Sequence, residues 1–330
     1  MDNKRFFAAC ALFIGVFYVA LPLILSHSPY LVGVLINAAV LAVISSGVWL
    51  TFAIGRINIA QGAFAMIGGY VTGILATRYG VSFWLCLPLS GIGAALAGVA
   101  IGPAILRLKG VYFSMISLSL TEVVRLIALT WDSMTNGASG VLDIPRPQAL
   151  RIGSLTLIPA FDGDSPLPYY FLAITLLAAS LLLLWRTQRC RVGWIFNALR
   201  LNDELAASMG VNVARYRVLA FAVSSFLGGI GGSFFATFHQ NIYPATYSVT
   251  DSINFMLYCF LGGLDFISGA LVGTFVLTIS FELLHSVQKY QTLIYAGIMI
   301  LAMMVLPNGL LSLRWRRREP PAPPAAEVKP

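Results

Sequence analysis

The chain has 330 residues, 58% of them hydrophobic and only 10% charged, where a soluble domain carries about 25% charged residues, so a water-surrounded globule is excluded. The net charge of +8 comes from 21 basic residues that gather at the ends of apolar runs. No basic stripe interleaved with aromatics appears, which argues against a nucleic-acid surface.

The apolar residues come in runs of about 20, the length that crosses a hydrocarbon layer about 30 Å thick. They predict an all-α, polytopic membrane bundle of about ten transmembrane helices. The first run follows Lys4-Arg5 and extends from Phe6 to about Leu25. It exceeds a signal-peptide core and no small-x-small cleavage pattern follows, so it reads as a retained helix. The predicted spans cover 6–26, 31–53, 59–77, 81–105, 111–130, 168–185, 218–238, 252–264, 268–286 and 291–312. The span at 252–264 is short and broken by Gly262-Gly263, which fits a half-helix or re-entrant segment as well as a full crossing. The membrane domain is placed at 1–318, and the Pro- and Ala-rich tail at 319–330 has nothing to bury and reads as disordered.

An even number of spans puts both termini on one side, and short loops rich in Lys and Arg stay in the cytoplasm. With the N-terminus inside, sixteen basic residues lie inside, only Arg78, Arg146, Arg151 and Lys289 lie outside, and Arg125 lies within a span. The predicted orientation is therefore N-in and C-in. Two loops exceed simple connectors: an outer one at 131–167 bearing Asp132, Asp143, Asp162 and Asp164, and an inner one at 186–217 bearing six Arg.

Enzymatic chemistry finds little support. No nucleophile stands near a base, His27, His239 and His285 are isolated from one another, and Cys10, Cys86, Cys190 and Cys259 form no close-spaced pair, so neither catalytic nor metal-binding residues are assigned. There is no GxxxxGK[ST] phosphate loop. Ionisable groups inside spans are few: Glu122 and Arg125, three apart on one helix, are expected to neutralise each other facing the bundle interior, and Glu282 lies near a span end. Such a sparse set argues against a proton-coupled transporter, which needs a relay of buried acids or histidines.

The stretch Gly55-Arg56-Ile57-Asn58-Ile59-Ala60-Gln61-Gly62-Ala63-Phe64, continuing to Gly68-Gly69-Tyr70, mixes polar and small residues where a span should form. Irregular backbone at membrane depth is tolerated only against protein or a water-filled path. Asn58, Gln61 and Gly62, with Gly262 and Gly263 in the later broken span, are the candidate solute pathway. Pairs of small residues four apart, Gly98 and Gly102, Gly228 and Gly232, Gly269 and Gly273, predict close helix packing.

On the inner side, Ala198 to Val211 reads as a short amphipathic helix stopped by Gly210. Leu199, Ala206 and Met209 are predicted to share one face, with Arg200, Asp203, Glu204 and Ala207 more exposed. A charged helix too short to be a domain suits docking into a groove of a soluble partner.

Several of these motifs together resemble the permease of branched-chain amino acid ABC importers, the LivM type, from about residue 31 to 313. The resemblance rests on Gly55 to Tyr70, on Leu106-Arg107-Leu108-Lys109-Gly110-Val111-Tyr112-Phe113 and on Thr135-Asn136-Gly137-Ala138-Ser139-Gly140-Val141. Further along it rests on Ala198 to Gly210, on Leu261-Gly262-Gly263 through Gly269-Ala270, and on Pro307-Asn308-Gly309-Leu310. Asn58 and Ala60 stand where the family usually has Ser and Gly. The resemblance implies a multi-pass inner-membrane subunit for branched-chain amino acids or a related small polar organic solute. It would sit beside a second, similar permease, two ATP-binding subunits and a periplasmic solute-binding protein, in contact with membrane lipid and no nucleic acid. No cofactor is expected on this chain, since ATP and Mg would bind the partner subunits. Arg200, Asp203, Glu204, Ala207 and Gly210 would couple it to the ATPases. The rival reading is a self-sufficient secondary transporter or channel.

Overall fold

The computed structural model describes residues 15–22, 28–152, 155–158, 161, 166–284, 290–306 and 309–312. Lys4, Arg5, Cys10, His27, Asp162, Asp164, His285, Lys289, Pro307, Asn308 and the 319–330 tail lie outside them, as does most of the predicted first span.

After a π-helical segment at Gly15–Ala20 come the helices α1 (Pro29–Phe52), α2 (Gln61–Tyr79), α3 (Phe83–Ile105) and α4 (Val111–Thr130). A short strand pair, β1 (Leu150–Ile152) and β2 (Leu155–Ile158), precedes α5 (Leu167–Arg189), α6 (Arg191–Leu201) and α7 (Asp203–Ser208). Then follow α8 (Val213–His239), α9 (Val249–Gly262), α10 (Gly269–Leu283) and α11 (Gln291–Val305). Helices α1, α3, α4, α5 and α8 are each long and apolar enough to cross a membrane, so the chain is a multi-pass helical membrane protein. The all-α class stands, and the 131–167 loop adds only the short antiparallel hairpin β1–β2, pairing Leu150 with Ile158 and Ile152 with Leu155.

Local chemistry sets the helix ends. Pro29 opens α1 at a position whose N–H has no helical partner in any case. Gly80, at φ 60°, closes α2 in the left-handed conformation. A capping box starts α9: Ser248 Oγ accepts from Asp251 N at 3.3 Å and Asp251 Oδ2 accepts from Ser248 N at 2.8 Å. That helix ends at Gly262, so the span predicted at 252–264 is a 14-residue helix shifted toward the N-terminus.

Helix α8 is the centre of the bundle, lying against α1, α2 and α3, and its small residues explain why. A Cβ on Gly232 would stand 1.8 Å from the Ala65 carbonyl oxygen of α2, and one on Gly231 would stand 2.3 Å from Ile44 of α1. On the α3 side, a Cβ on Gly98 would meet Ser225 Oγ at 2.5 Å. The small-residue pairs therefore act as predicted, bringing backbones together where lipid supplies no hydrophobic drive between helices. A second joint binds α9 to α10, where a Cβ on Gly273 would lie 1.8 Å from the Tyr258 carbonyl oxygen.

The connections sort to two ends. At one end, Lys109 lies 3.2 Å from Asp203, Arg200 lies 2.7 Å from Asp265, and a Cβ on Gly55 would touch the Arg200 backbone at 3.3 Å. The loops at 53–60, 106–110 and 263–268 thus meet α6 and α7. At the other end, Val141 and Ile242 exchange backbone hydrogen bonds of 3.0 and 2.9 Å, and Trp84 Nε1 donates to the Gln148 carbonyl at 2.9 Å. The motif Thr135 to Val141 is thereby pinned to the end of α8; Thr135 Oγ1 closes it by donating to the Ala128 carbonyl at 2.6 Å.

Candidate functional site

The break between α1 and α2 is a buried polar knot. Asn58 and Gln61 are fully buried. Asn58 Oδ1 accepts from Ala60 N at 2.9 Å, capping the turn that launches α2, and Gln61 Nε2 donates to the Ser224 carbonyl at 2.9 Å. Ser224 Oγ lies 2.8 Å from the Gly47 carbonyl and 3.1 Å from Gln61 Oε1. The amide of Gln61 fits because neighbouring helices are stripped to glycine: a Cβ on Gly47 or Gly228 would meet Gln61 Nε2 at 2.2 or 2.9 Å.

The non-helical backbone is satisfied by hydroxyls from α4 and α9. Ser117 Oγ accepts from Ile59 N at 3.1 Å, Thr121 Oγ1 donates to the Ile59 carbonyl at 3.3 Å, and Ser114 Oγ donates to the Ile57 carbonyl at 3.1 Å. Ser252 Oγ accepts from Gly62 N at 3.1 Å and sits 3.2 Å from Thr121 Oγ1. Thr121 lies ten residues into α4, about 15 Å along its axis, so this knot stands deep within the bundle. Three of the candidate pathway residues are therefore brought together, and irregular backbone at depth is held against protein.

The other two candidates stand apart from it. Gly262 and Gly263 make no hydrogen bond to Asn58, Gln61 or Gly62; they form a backbone joint in which a Cβ on Gly262 would lie 1.8 Å from the Gly269 carbonyl oxygen. Gly263, at φ 109°, adopts a conformation that side chains disfavour. Leu310 N and Leu311 N donate to the Leu261 and Gly262 carbonyls at 2.8 and 3.3 Å, tying the chain past α11 into the same joint.

The segment from Ala198 to Val211 departs from the sequence expectation in form. It is two helices, not one, because Asn202 interrupts it: its Oδ1 accepts from Glu204 N and Leu205 N, both at 3.0 Å, and caps α7. Arg200 consequently belongs to α6, whereas Asp203, Glu204 and Ala207 belong to α7. Leu199 and Ala206 are buried as expected, but Met209 is 80% exposed and does not share their face. Gly210 follows the helix at φ 85° with open space around it.

Asp203 anchors this segment. Arg217, in the first turns of α8, donates through Nη2 to Asp203 Oδ2 at 2.6 Å, and Lys109 approaches the same oxygen at 3.2 Å. Burial alone would push the Asp203 carboxyl up, but these two hydrogen-bonded cations together hold it below its ordinary value. Glu204, by contrast, reaches only Lys109, at 3.5 Å, with its side chain 86% exposed. Arg200 pairs with Asp265 at 2.7 Å and lies 4.5 Å from the Phe52 ring centre.

Sequence reasoning assigned no role to Arg56, Arg217, Asp265 or the hydroxyls at Ser117, Thr121, Ser224 and Ser252. Arg56 is buried, with Nε and Nη2 lacking a hydrogen-bond partner among the described residues. The signal for it was visible as a lone cation beside Gly55 in a span break. Buried hydroxyls carry no such signal, since Ser and Thr are common in membrane helices and bond to their own helix just as readily.

The Glu122–Arg125 pair forms as expected, with Arg125 Nε and Nη2 donating to the two carboxylate oxygens at 2.9 and 2.5 Å. It does not face this chain's interior. The side chains are 39% and 29% exposed, because α4 buries its opposite stripe, Phe113, Ser117, Leu120 and Thr121, against the knot.

Among known families, residues 30–306 match the model of the branched-chain amino acid transport system permease component. The chain is 30% identical over 273 residues to the high-affinity branched-chain amino acid transport system permease protein LivM of Escherichia coli, an alignment spanning 78% of this chain and 64% of that one. It is 29% identical to the probable branched-chain amino acid transport permease protein LivH of Methanocaldococcus jannaschii, over 89% of this chain and 95% of the other. It is 27% identical to the autoinducer 2 import system permease protein LsrC of Klebsiella pneumoniae, over 94% and 87%. No solved structure matches the chain.

Proposed function

The chain belongs to the family of branched-chain amino acid transport permease components, and from that premise we propose that it is the membrane-spanning permease subunit of an ATP-driven importer in the bacterial inner membrane. The solute is a branched-chain amino acid or a related small polar organic molecule. The observation that carries this reading is the inner assembly of α6 and α7. Two short helices project beyond the spans, anchored through Asp203 to Arg217 and through Arg200 to Asp265, in a chain whose sequence holds no phosphate loop. Such an assembly receives motion from another protein and passes it to α8 and to the α9–α10 joint.

In this reading the chain crosses about ten times with both termini inside, so that α6 and α7 face the cytoplasm and the 131–167 loop faces the periplasm. Two ATP-binding subunits dock on α6 and α7, a second homologous permease completes the membrane part, and a periplasmic solute-binding protein delivers the solute to the outer loops. Asn58, Gln61 and Gly62 line the gate of the solute path, and Gly262 and Gly263 transmit movement at its inner end. ATP and Mg bind the partner chains alone.

Affinity purification of the chain from membranes in which the genes beside its own are expressed tests this. ATP-binding chains should co-purify, and Leu205→Asp with Met209→Asp, which alter exposed positions at α7, should remove them. Recovery of the chain without any ATPase would overturn the reading.

A further inference from the structure

We infer that the open face of α4 is the seam between this chain and the second permease subunit; the inference rests on the importer reading above. Among the described residues α3, α5, α10 and α11 show open faces as well as α4, and α4 differs from them by carrying an ion pair at the middle of its length. The exposed stripe of α3 is Leu85, Leu89, Ile92, Leu96 and Val99, apolar throughout and suited to lipid tails. The open face of α4 carries Met115, Ile116, Ser119, Val123, Leu126 and Ile127, apolar except for Ser119, with the half-buried pair Glu122 and Arg125 set into it.

Glu122 is the twelfth of the twenty residues of α4, so the ion pair stands at the middle of a span. The pairing uses two of the five guanidinium N–H groups, which leaves three without an acceptor among the described residues. Hydrocarbon offers no acceptor, and charged groups at that depth face protein or a wet cavity. A protein surface that presents hydrogen-bond acceptors at mid-membrane depth meets this requirement. A soluble ATPase or binding protein cannot reach that depth, whereas a second permease chain can. The opposite stripe of α4 holds the 57–62 break through Ser114, Ser117 and Thr121, so the seam on one side of α4 and the candidate gate on the other share a single helix.

The test uses the intact complex in membranes, with the photoreactive benzoylphenylalanine placed at Ser119 or, as a control, at Leu96. Irradiation should link the Ser119 variant to a second, homologous permease chain identified by mass spectrometry, with no protein adduct from Leu96. A companion variant, Glu122→Leu with Arg125→Leu, makes α4 wholly apolar at this point and more readily inserted. It should lose the co-purifying permease while remaining in the membrane. If Ser119 yields only lipid adducts or an adduct with another copy of this chain, or if the double variant retains its partner in full, the seam lies elsewhere. Co-purification of the ATPase in the same sample separates these outcomes, since its presence keeps the importer reading intact while the seam fails.

Discussion

The side chain of Gln61 meets Ser224 twice: its amide nitrogen donates to the Ser224 carbonyl at 2.9 Å, and its Oε1 lies 3.1 Å from the Ser224 hydroxyl, whose one proton it shares with the Gly47 carbonyl at 2.8 Å. The pair joins the start of α2 to the centre of α8 and seals the α1–α2 break. Gln61→Leu removes both contacts and strands the Asn58 amide, which otherwise faces Gln61 Oε1 at 3.4 Å. Unpaired buried polar groups cost about 1 to 3 kcal/mol each. The variant is expected to insert but to melt earlier in detergent and to transport poorly. Wild-type uptake together with wild-type melting would remove Gln61 from both roles.

Asp203 and Glu204 are adjacent acids with unequal standing. Asp203→Asn leaves Arg217 and Arg56, both buried, without their shared countercharge. Removing one partner of a fully buried pair costs about 3 to 5 kcal/mol. With the Asp203 side chain 22% exposed, a loss of about 2 kcal/mol is expected, between that value and the roughly 0 to 1 kcal/mol of a surface pair. Glu204→Gln should stay within that surface range. Thermal unfolding of the two purified variants decides the ranking, and equal melting temperatures would contradict it.

Because hydrogen bonds from Arg217 and Lys109 hold the Asp203 carboxyl below its ordinary value, the anchor's contribution is complete above the unfolded-state value, about 3.9, and is lost as pH falls through the folded one. Stability measured from pH 8 to 5 should show no step attributable to Asp203. A difference between wild type and Asp203→Asn that shrinks between pH 7 and 5 would argue that the carboxyl is not held low.

Ala206 and Ala207 separate folding from docking. Ala206 is buried against the bundle, whereas Ala207 is exposed on α7. Ala206→Trp should unseat α7 and lower the yield of folded permease. Ala207→Trp should leave yield and melting unchanged while abolishing ATPase stimulation by the loaded binding protein. Stimulated activity at the wild-type level in a well-folded Ala207→Trp complex would place the docking surface elsewhere.

Much of the architecture was legible because membrane helices must satisfy their own backbone and leave long apolar runs in the sequence. The glycine pairs also announced the close approaches at α8 and at the α9–α10 joint, since little else than a small residue admits them. The break at Asn202 within the 198–211 segment is not legible: helical periodicity runs through it, and only the cap geometry shows that its side chain starts a new helix. The Glu122–Arg125 pair was legible as a pair, but which way it faces depends on how α4 packs, and one chain's spacing does not encode that. The grouping of Gly262 and Gly263 with Asn58 followed from their shared character as span breaks, and the fold separates them because each break is closed by a different set of neighbours.

Orientation has its own check. In a chain whose four cysteines are replaced by serine, a cysteine at Ser139 or at Ser208, both exposed, is offered to a membrane-impermeant thiol reagent in intact cells. Ser139→Cys should label and Ser208→Cys should label only after the cells are opened. The reverse pattern would invert the bundle.

The most direct measurement is leucine uptake into liposomes carrying the purified complex. Uptake should require ATP on the side of α6 and α7 and loaded binding protein on the other, and should stop when the ATP-binding chains are left out. Leucine entry at an undiminished rate through this chain alone, without ATP, would contradict the account and make the protein a self-sufficient transporter.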